Sequence, residues 1–396
     1  MANPIIYFDN NATTKCAPEV IDAMLPFFAE QYANPASPHI LGRQASRAVA
    51  LARECIAESL ACDASCVYFT SGATEANNLL ILGLTNSVSS RRKIVASAIE
   101  HKSVLGPCEA LTESGFEFAT IPVRNNGIID LDVARQIIDE RTLLVSVQGA
   151  NNEIGTIQPV RLVADIAHEK GAAVHCDAAQ LLGKVPFSID EMGADYFTFS
   201  AHKAYGPKGV GVLVVRRNVG SMWLSPVIFG GGQENGLRPG TLNVPAVVGM
   251  GAASRLWTAQ MGEEAARILS LRILLEDSLV SIGYGVRVLA SDSPRLPGTA
   301  SVVFPGVPAD VLISRTATVC MSVGSACTSG AVAPSHVLLA LGLSRDEAYS
   351  TVRLSLGRYN TADEVRIGAE AISETVRDVI GDSKVLVEST NTAYMR

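Results

Sequence analysis

Three stretches of the chain bring together residue types that could do covalent chemistry on a small ligand. The first is Ser200-Ala-His-Lys-Ala-Tyr-Gly-Pro-Lys-Gly209, where Lys203 sits in a loop shaped by glycine and proline. A lysine held there is restrained yet reachable, which a Schiff-base lysine has to be; an ordinary solvated loop lysine fits the same local sequence. The second is Val67-Tyr-Phe-Thr-Ser-Gly-Ala-Thr-Glu-Ala-Asn-Asn78, a β-patterned run, a glycine turn and a helix start. The unsatisfied N–H groups and positive dipole end of such a start suit a phosphate. It has neither dinucleotide nor Walker spacing, so a dinucleotide or nucleoside triphosphate is not indicated; a plain N-cap is the other reading. The third is Val323-Gly-Ser-Ala-Cys-Thr-Ser-Gly-Ala331, almost without bulky side chains. Such a stretch cannot pack a core and predicts an accessible loop, on which Cys327 could act as a nucleophile once deprotonated.

Two further residues extend the pattern. Asp177 closes the apolar run in Val174-His-Cys-Asp-Ala-Ala-Gln180, where a buried carboxylate needs either a cationic partner or backbone N–H donors. A protonated pyridine nitrogen is one such cation, and pyridoxal phosphate (PLP) works best as an electron sink when an Asp keeps that nitrogen protonated. His101, in Glu100-His-Lys102, offers an imidazole able to stack on a ring and move protons near neutral pH, or simply a structural histidine.

The elements that must position these residues are legible in the hydrophobic pattern. Apolar runs predict strands at 67–70, 93–97, 143–148, 173–177, 196–200 and 211–215, alternating with amphipathic stretches at 131–140 and 160–170. That alternation predicts an α/β protein with a mainly parallel sheet flanked by helices, which binds ligands at the carboxyl ends of its strands. The Gly230–Gly240 stretch GGGQENGLRPG reads as a loop, 244–260 as a helix, and 263–279 as a second helix opening a smaller α+β domain with strands near 301–304 and 352–355.

The bulk properties narrow the function classes. The 396 residues, 48% of them hydrophobic, suffice for two or three domains. A net charge of -7 and a pI near 5.5 argue against nucleic acid. No apolar run approaches the roughly 20 residues of a membrane span, and MANPIIYFDNNATT lacks a basic start followed by a long apolar stretch, so a cytoplasmic location is expected. The eight cysteines form no metal-type pairing, so no metal site is expected.

Taken in order, Tyr7-Phe-Asp-Asn-Asn-Ala-Thr-Thr14, Asn34-Pro-Ala-Ser37, SGATEANN, Glu100-His-Lys102, Asn151-Asn-Glu-Ile-Gly155, HCDAAQ, SAHKAYGPKG, RPGT, GSACTS and Val352-Arg-Leu-Ser-Leu-Gly357 span about the whole chain. The set resembles the fold-type I PLP enzymes, and among them the NifS/IscS class of cysteine desulfurases. The resemblance implies a large PLP-binding domain over residues 14–257 and a smaller α+β domain from 1–13 and 258–396 that carries Cys327. It implies that Lys203 bonds the cofactor, Asp177 pairs with its ring nitrogen, His101 stacks on the ring, Gln180 bonds the phenolic oxygen and Asn152 lies beside cofactor and substrate. Ala73, Thr74, Ser200 and His202 would hold the phosphate, helped by Thr241 from the second subunit of a homodimer, while Arg353 would clamp the carboxylate of L-cysteine with Asn34 nearby. Lys203 would take the Cα proton, and Cys327 would receive the sulfur as a persulfide, releasing alanine and later passing the sulfur to an acceptor or scaffold protein. Iron-sulfur cluster assembly and other thiolation pathways are all compatible recipients. A selenocysteine lyase, or another fold-type I PLP enzyme such as an aminotransferase, is the nearest alternative; Cys327 weighs against an aminotransferase, which has no use for it.

Overall fold

The protein is described by a computed structural model covering residues 5–86, 90–216, 224–323 and 334–394, with side chains described throughout except at Gln260 and 382–394. Cys327 lies outside the described residues. The strands in chain order are β1 Ile6–Tyr7, β2 Val67–Thr70, β3 Lys93–Ser97, β4 Glu117–Ile121, β5 Thr142–Ser146, β6 Ala173–Asp177, β7 Tyr196–Ser200, β8 Gly211–Val215, β9 Arg287–Val288, β10 Thr299–Val303, β11 Val319–Cys320, β12 Ser322–Val323 and β13 Thr351–Ser355.

Seven of them form the central sheet in the order β2-β8-β7-β6-β5-β3-β4. Its β3–β4, β3–β5, β5–β6 and β6–β7 pairs are parallel, while β8 runs antiparallel to both neighbours. The mainly parallel sheet expected from the pattern is therefore present. Every residue of β3, β5, β6 and β7 is buried, as helix-covered parallel strands require, which is why these runs read as continuous apolar segments. By contrast β4 went unread: it lies at the sheet edge with four of its five residues partly or fully exposed, so no apolar run marks it.

The smaller antiparallel sheet runs β12-β13-β10-β9, and β1 pairs parallel with β11 beside it. One large apolar cluster surrounds β6, β7 and β8 and includes Trp257, while another joins Ile6 and Phe8 to Leu275, Val302, Leu354 and Ile372. The two helices expected at 244–260 and 263–279 are one continuous helix, Val244–Val280. The expected break fell at Gly262, but a lone glycine costs a helix only about 1 kcal/mol and does not terminate it. The helix contributes Met250 and Trp257 to the first cluster and Leu271, Leu275 and Leu279 to the second, so burial at both ends outweighs that local cost.

The topology gathers the carboxyl ends of β2, β3, β5, β6 and β7 on one side of the sheet. Because β8 is antiparallel, its first residue Gly211 pairs with Thr70 at the end of β2 and with Ser200 at the end of β7. A Cβ on Gly211 would come within 2.4 Å of the Phe199 carbonyl oxygen and 2.6 Å of Gly72 Cα. Only glycine lets the turn after β2 settle against the end of β7, bringing the expected phosphate turn to the lysine loop.

Candidate active site

Lys203 ends the one-turn helix Ala201–Lys203 that follows β7. Its Nζ donates to the carbonyls of Asn11 and Ala12, both at 2.8 Å. The N-terminal segment carrying those carbonyls is laced to the loop: Thr14 N–H donates to the His202 carbonyl at 2.8 Å, and Tyr205 N–H to Thr14 Oγ1 at 2.7 Å. The YFDNNATT motif thus positions the amine.

Asp177, at the end of β6, is buried. Its carboxylate accepts from Asn77 Nδ2 at 2.9 Å and from Ala179 N–H at 3.1 Å. Asn77 is itself fixed, accepting from Thr198 Oγ1 at 2.6 Å and donating to Ser103 Oγ at 2.9 Å. His101 caps the helix Lys102–Ala110, with Nδ1 accepting from Ser103 N–H at 3.1 Å. An accepting Nδ1 places the neutral ring's proton on Nε2. Burial holds the His101 pKa below its ordinary value despite the opposing charge of Asp177, and Lys203 adds to the lowering.

The helix Ala73–Thr85 begins after Gly72 with no side chain capping its first N–H groups. The Ser200 hydroxyl lies 3.5 Å from where a Cβ on Gly72 would sit, and His202 Nδ1 meets Thr13 Oγ1 at 3.2 Å. Burial, then the charges of Lys203, Lys208 and Lys184, push the His202 pKa down to about 4, so at neutral pH it is an uncharged hydrogen-bonding group. Glu75, in the first turn, takes Arg238 of the RPGT segment in two contacts at 2.7 and 3.2 Å and also accepts from Ser71 N–H at 3.0 Å. Burial alone would raise the Glu75 pKa, but these hydrogen bonds outweigh it and leave it lowered.

At the other end, buried Arg353 on β13 pairs with Asp9 at 2.7 Å and donates to the Asn152 carbonyl at 3.2 Å. Its Nε is buried with no hydrogen-bond partner among the described residues. Lys203, Asp177, His101, Arg353 and the first turn of the Ala73–Thr85 helix line one cavity of about 490 Å³. Ten of the residues singled out in the sequence face it: Ala73, Thr74, His101, Asn152, Asp177, Gln180, Ser200, His202, Lys203 and Arg353. Asn34 and Thr241 do not line it; both are exposed, and Asn34 Oδ1 accepts from Ala36 N–H at 2.9 Å.

The cavity wall also holds Glu100, Glu153 and His336, to which the sequence assigns no role. Glu100, next to His101, is fully buried with Oε2 unpartnered among the described residues. Burial, then the charge of Asp177, raise its pKa well above the carboxylate range. Glu153 accepts from Ser335 Oγ at 2.5 Å, and His336 Nε2 meets the Glu100 carbonyl at 2.9 Å. Both acids stand inside motifs of the sequence, Glu100-His-Lys102 and Asn151-Asn-Glu-Ile-Gly155, without a role of their own there; nothing local marks Ser335 or His336.

The donor set fits PLP. An uncapped helix start offers N–H groups to a phosphate, a buried carboxylate can pair with a protonated ring nitrogen, a lysine amine lies in the same cavity, and the volume is that of a small-molecule site. Fold and site together define a PLP enzyme of the α/β class. The chain belongs to the class-V aminotransferase family, whose model matches residues 6–367 and whose members use PLP, and within it to the cysteine desulfurases. It is 42% identical to cysteine desulfurase IscS 1 of Archaeoglobus fulgidus over 91% of this chain and 94% of that one. A NifS-like protein of known structure superposes with a TM-score of 0.88 at 38% identity, covering 94% of this chain and 99% of that one. SspA in complex with cysteine superposes with a TM-score of 0.78 at 35% identity, covering 90% of this chain and 100% of the other.

Proposed function

We propose that this PLP-dependent cysteine desulfurase converts L-cysteine to L-alanine and leaves the sulfur as a persulfide on Cys327. The observation that carries the assignment of roles is the convergence of Lys203, Asp177 and His101 with an uncapped helix start on one cavity. When bound, PLP supplies the electron sink that acidifies the substrate Cα proton. Ala73, Thr74, Ser200 and His202 hold its phosphate, Asp177 its ring nitrogen, and Gln180 its phenolic oxygen. Lys203 removes and returns the proton at Cα. Arg353, steadied by Asp9, binds the substrate carboxylate, with Asn152 and Asn34 beside it. His101, which carries a proton on Nε2, would stack on the ring. The Cys327 thiolate attacks the substrate sulfur: an S–S bond forms, the C–S bond breaks, and its electron pair leaves with the carbon skeleton, which takes up protons to become alanine.

This reading includes a homodimer in which Thr241 reaches the partner's phosphate site; its exposure in a single subunit supports that role. It includes two domains, residues 14–257 and residues 1–13 with 258–396, a division supported by the two apolar clusters. The sulfur then passes to an acceptor protein, in iron-sulfur cluster assembly or another thiolation pathway. A cytoplasmic location belongs to the same reading. Separately, no helix among the described residues is long and apolar enough to cross a membrane.

The test is mass spectrometry of the Cys327 peptide after cysteine is added, together with two variants. Lys203→Ala is expected to abolish alanine formation; Cys327→Ala is expected to keep the yellow cofactor and lose the persulfide. Sulfur transfer at the normal rate by Cys327→Ala would refute the assignment.

A further inference from the structure

Behind the cavity wall lies a lysine to which the reaction as proposed gives no part. Lys184 follows β6 by a turn and does not line the cavity. Its Nζ donates to Asn11 Oδ1 at 2.9 Å and to Gln180 Oε1. Gln180 does line the cavity, and its Nε2 donates to the Asn11 backbone carbonyl at 3.1 Å, the same carbonyl that accepts from Lys203 Nζ at 2.8 Å.

The chemistry of these partners fixes which way the Gln180 amide points. A protonated lysine donates only and must meet the amide oxygen; a carbonyl accepts only and must meet the amide nitrogen. Rotating the amide by half a turn would set nitrogen against Lys184 and oxygen against the Asn11 carbonyl, replacing two hydrogen bonds by two mismatches. The amide NH2 has two hydrogens, one used on Asn11, so the group Gln180 retains for a ligand in the cavity is an N–H donor. Burial, then the charges of Lys203 and Arg353, push the Lys184 amine well below the usual lysine range. An uncharged amine keeps two N–H bonds for its two acceptors; its lone pair could then take a rotated amide N–H, but the Asn11 carbonyl, which accepts only, still disfavours the rotation.

We propose that Lys184 is a positioning residue that locks the Gln180 side chain so that its nitrogen, not its oxygen, faces the phenolic oxygen of bound PLP. This rests on the reading of Gln180 under the proposed function. A donor at that oxygen stabilises its anionic form and lowers the pH at which the Lys203-linked cofactor loses its proton. The experiment is a spectrophotometric pH titration of the visible band of the PLP-loaded enzyme in Lys184→Met, Gln180→Leu, the double variant and Lys184→Arg, with thermal unfolding alongside. Lys184→Met and Gln180→Leu are each expected to raise the midpoint by about one pH unit, a tenfold change in the proton equilibrium. The double variant is expected to match Gln180→Leu alone, and Lys184→Arg, which keeps the donors, to restore most of the wild-type midpoint. An unmoved midpoint in Lys184→Met with Gln180→Leu shifted refutes the lock and leaves the Gln180 assignment standing. An unmoved midpoint in Gln180→Leu refutes both. Additive shifts in the double variant refute the route through Gln180 in favour of a direct charge effect. If Lys184→Met does not fold, Lys184→Gln, which keeps one donor, is expected to shift the midpoint by less than Gln180→Leu, and no shift there refutes the lock.

Discussion

Replacing Asp177 by Asn changes one atom and almost no volume, so its consequences can be worked from the neighbouring donors. The carboxylate accepts from Asn77 Nδ2 on one oxygen and from Ala179 N–H on the other. Asn77 cannot turn to accommodate an amide, because its own oxygen is bonded to Thr198 and its nitrogen also to Ser103. Asp177→Asn therefore leaves one buried donor facing another donor, at a cost of about 1–3 kcal/mol. Part of this is offset, since losing the Asp177 charge relieves Glu100, whose pKa its neighbour helps to raise. A net loss of about 1 kcal/mol in the cofactor-free protein is expected, measured by guanidinium denaturation at pH 7. Binding of PLP is expected to suffer more: a charge-assisted hydrogen bond contributes about 1.5–3 kcal/mol, so affinity should fall about 10- to 100-fold by PLP titration. Alanine formation is expected to fall at least as far. Unchanged stability together with PLP affinity within twofold of wild type would refute the placement of the ring nitrogen at Asp177.

Other expectations follow from particular contacts. Glu75→Gln removes the charge that binds Arg238 in two contacts at the first turn of the phosphate helix, and PLP affinity is expected to fall about 5- to 20-fold, on the scale of a charged hydrogen bond, in a titration of the cofactor-free enzyme. Glu276 sits between Arg295 at 2.7 Å and Arg272 at 3.7 Å; Glu276→Ala strands two buried guanidinium groups and is expected to cost about 3–5 kcal/mol by chemical denaturation. His175 is fully buried, bonded to Ser146 and Thr198, and burial lowers its pKa to about 4. The unfolded chain, with its histidine near 6.5, binds that proton first, so this contribution is full above about pH 6.5 and is lost as pH falls toward 4, at up to about 1.4 kcal/mol per pH unit. Denaturation curves at pH 7, 5.5 and 4.5 are expected to show the decline, with a shallower slope in His175→Gln.

Much of the central sheet could be read directly because burial on both faces writes itself into the chain. The expected strands at 67–70, 93–97, 173–177, 196–200 and 211–215 coincide with β2, β3, β6, β7 and β8. The 143–148 strand starts and ends slightly earlier as Thr142–Ser146, and the 131–140 helix ends at Ile137 because Ile138 turns extended. Edge strand β4, exposed along most of its length, left no such signature. The continuity of Val244–Val280 could not be read locally, because each end is held by a different apolar cluster.

Residue types and their order were sufficient to name a lysine in a restrained loop, a carboxylate at the end of a buried strand and a helix start after a glycine turn, since each follows from strand ends and turns a few residues long. Tertiary structure alone decided how they cooperate. Asn11 supplies the carbonyl that meets Lys203 across 192 positions, Asp9 pairs with Arg353 across 344, and Lys184 reaches Asn11 across 173. The raised pKa of Glu100 and the lowered pKa of His202 likewise arise from surroundings assembled by the whole fold. Hydrogen-bond partnership and desolvation depend on which distant segments close over a group, and a chain read residue by residue carries no record of that closure.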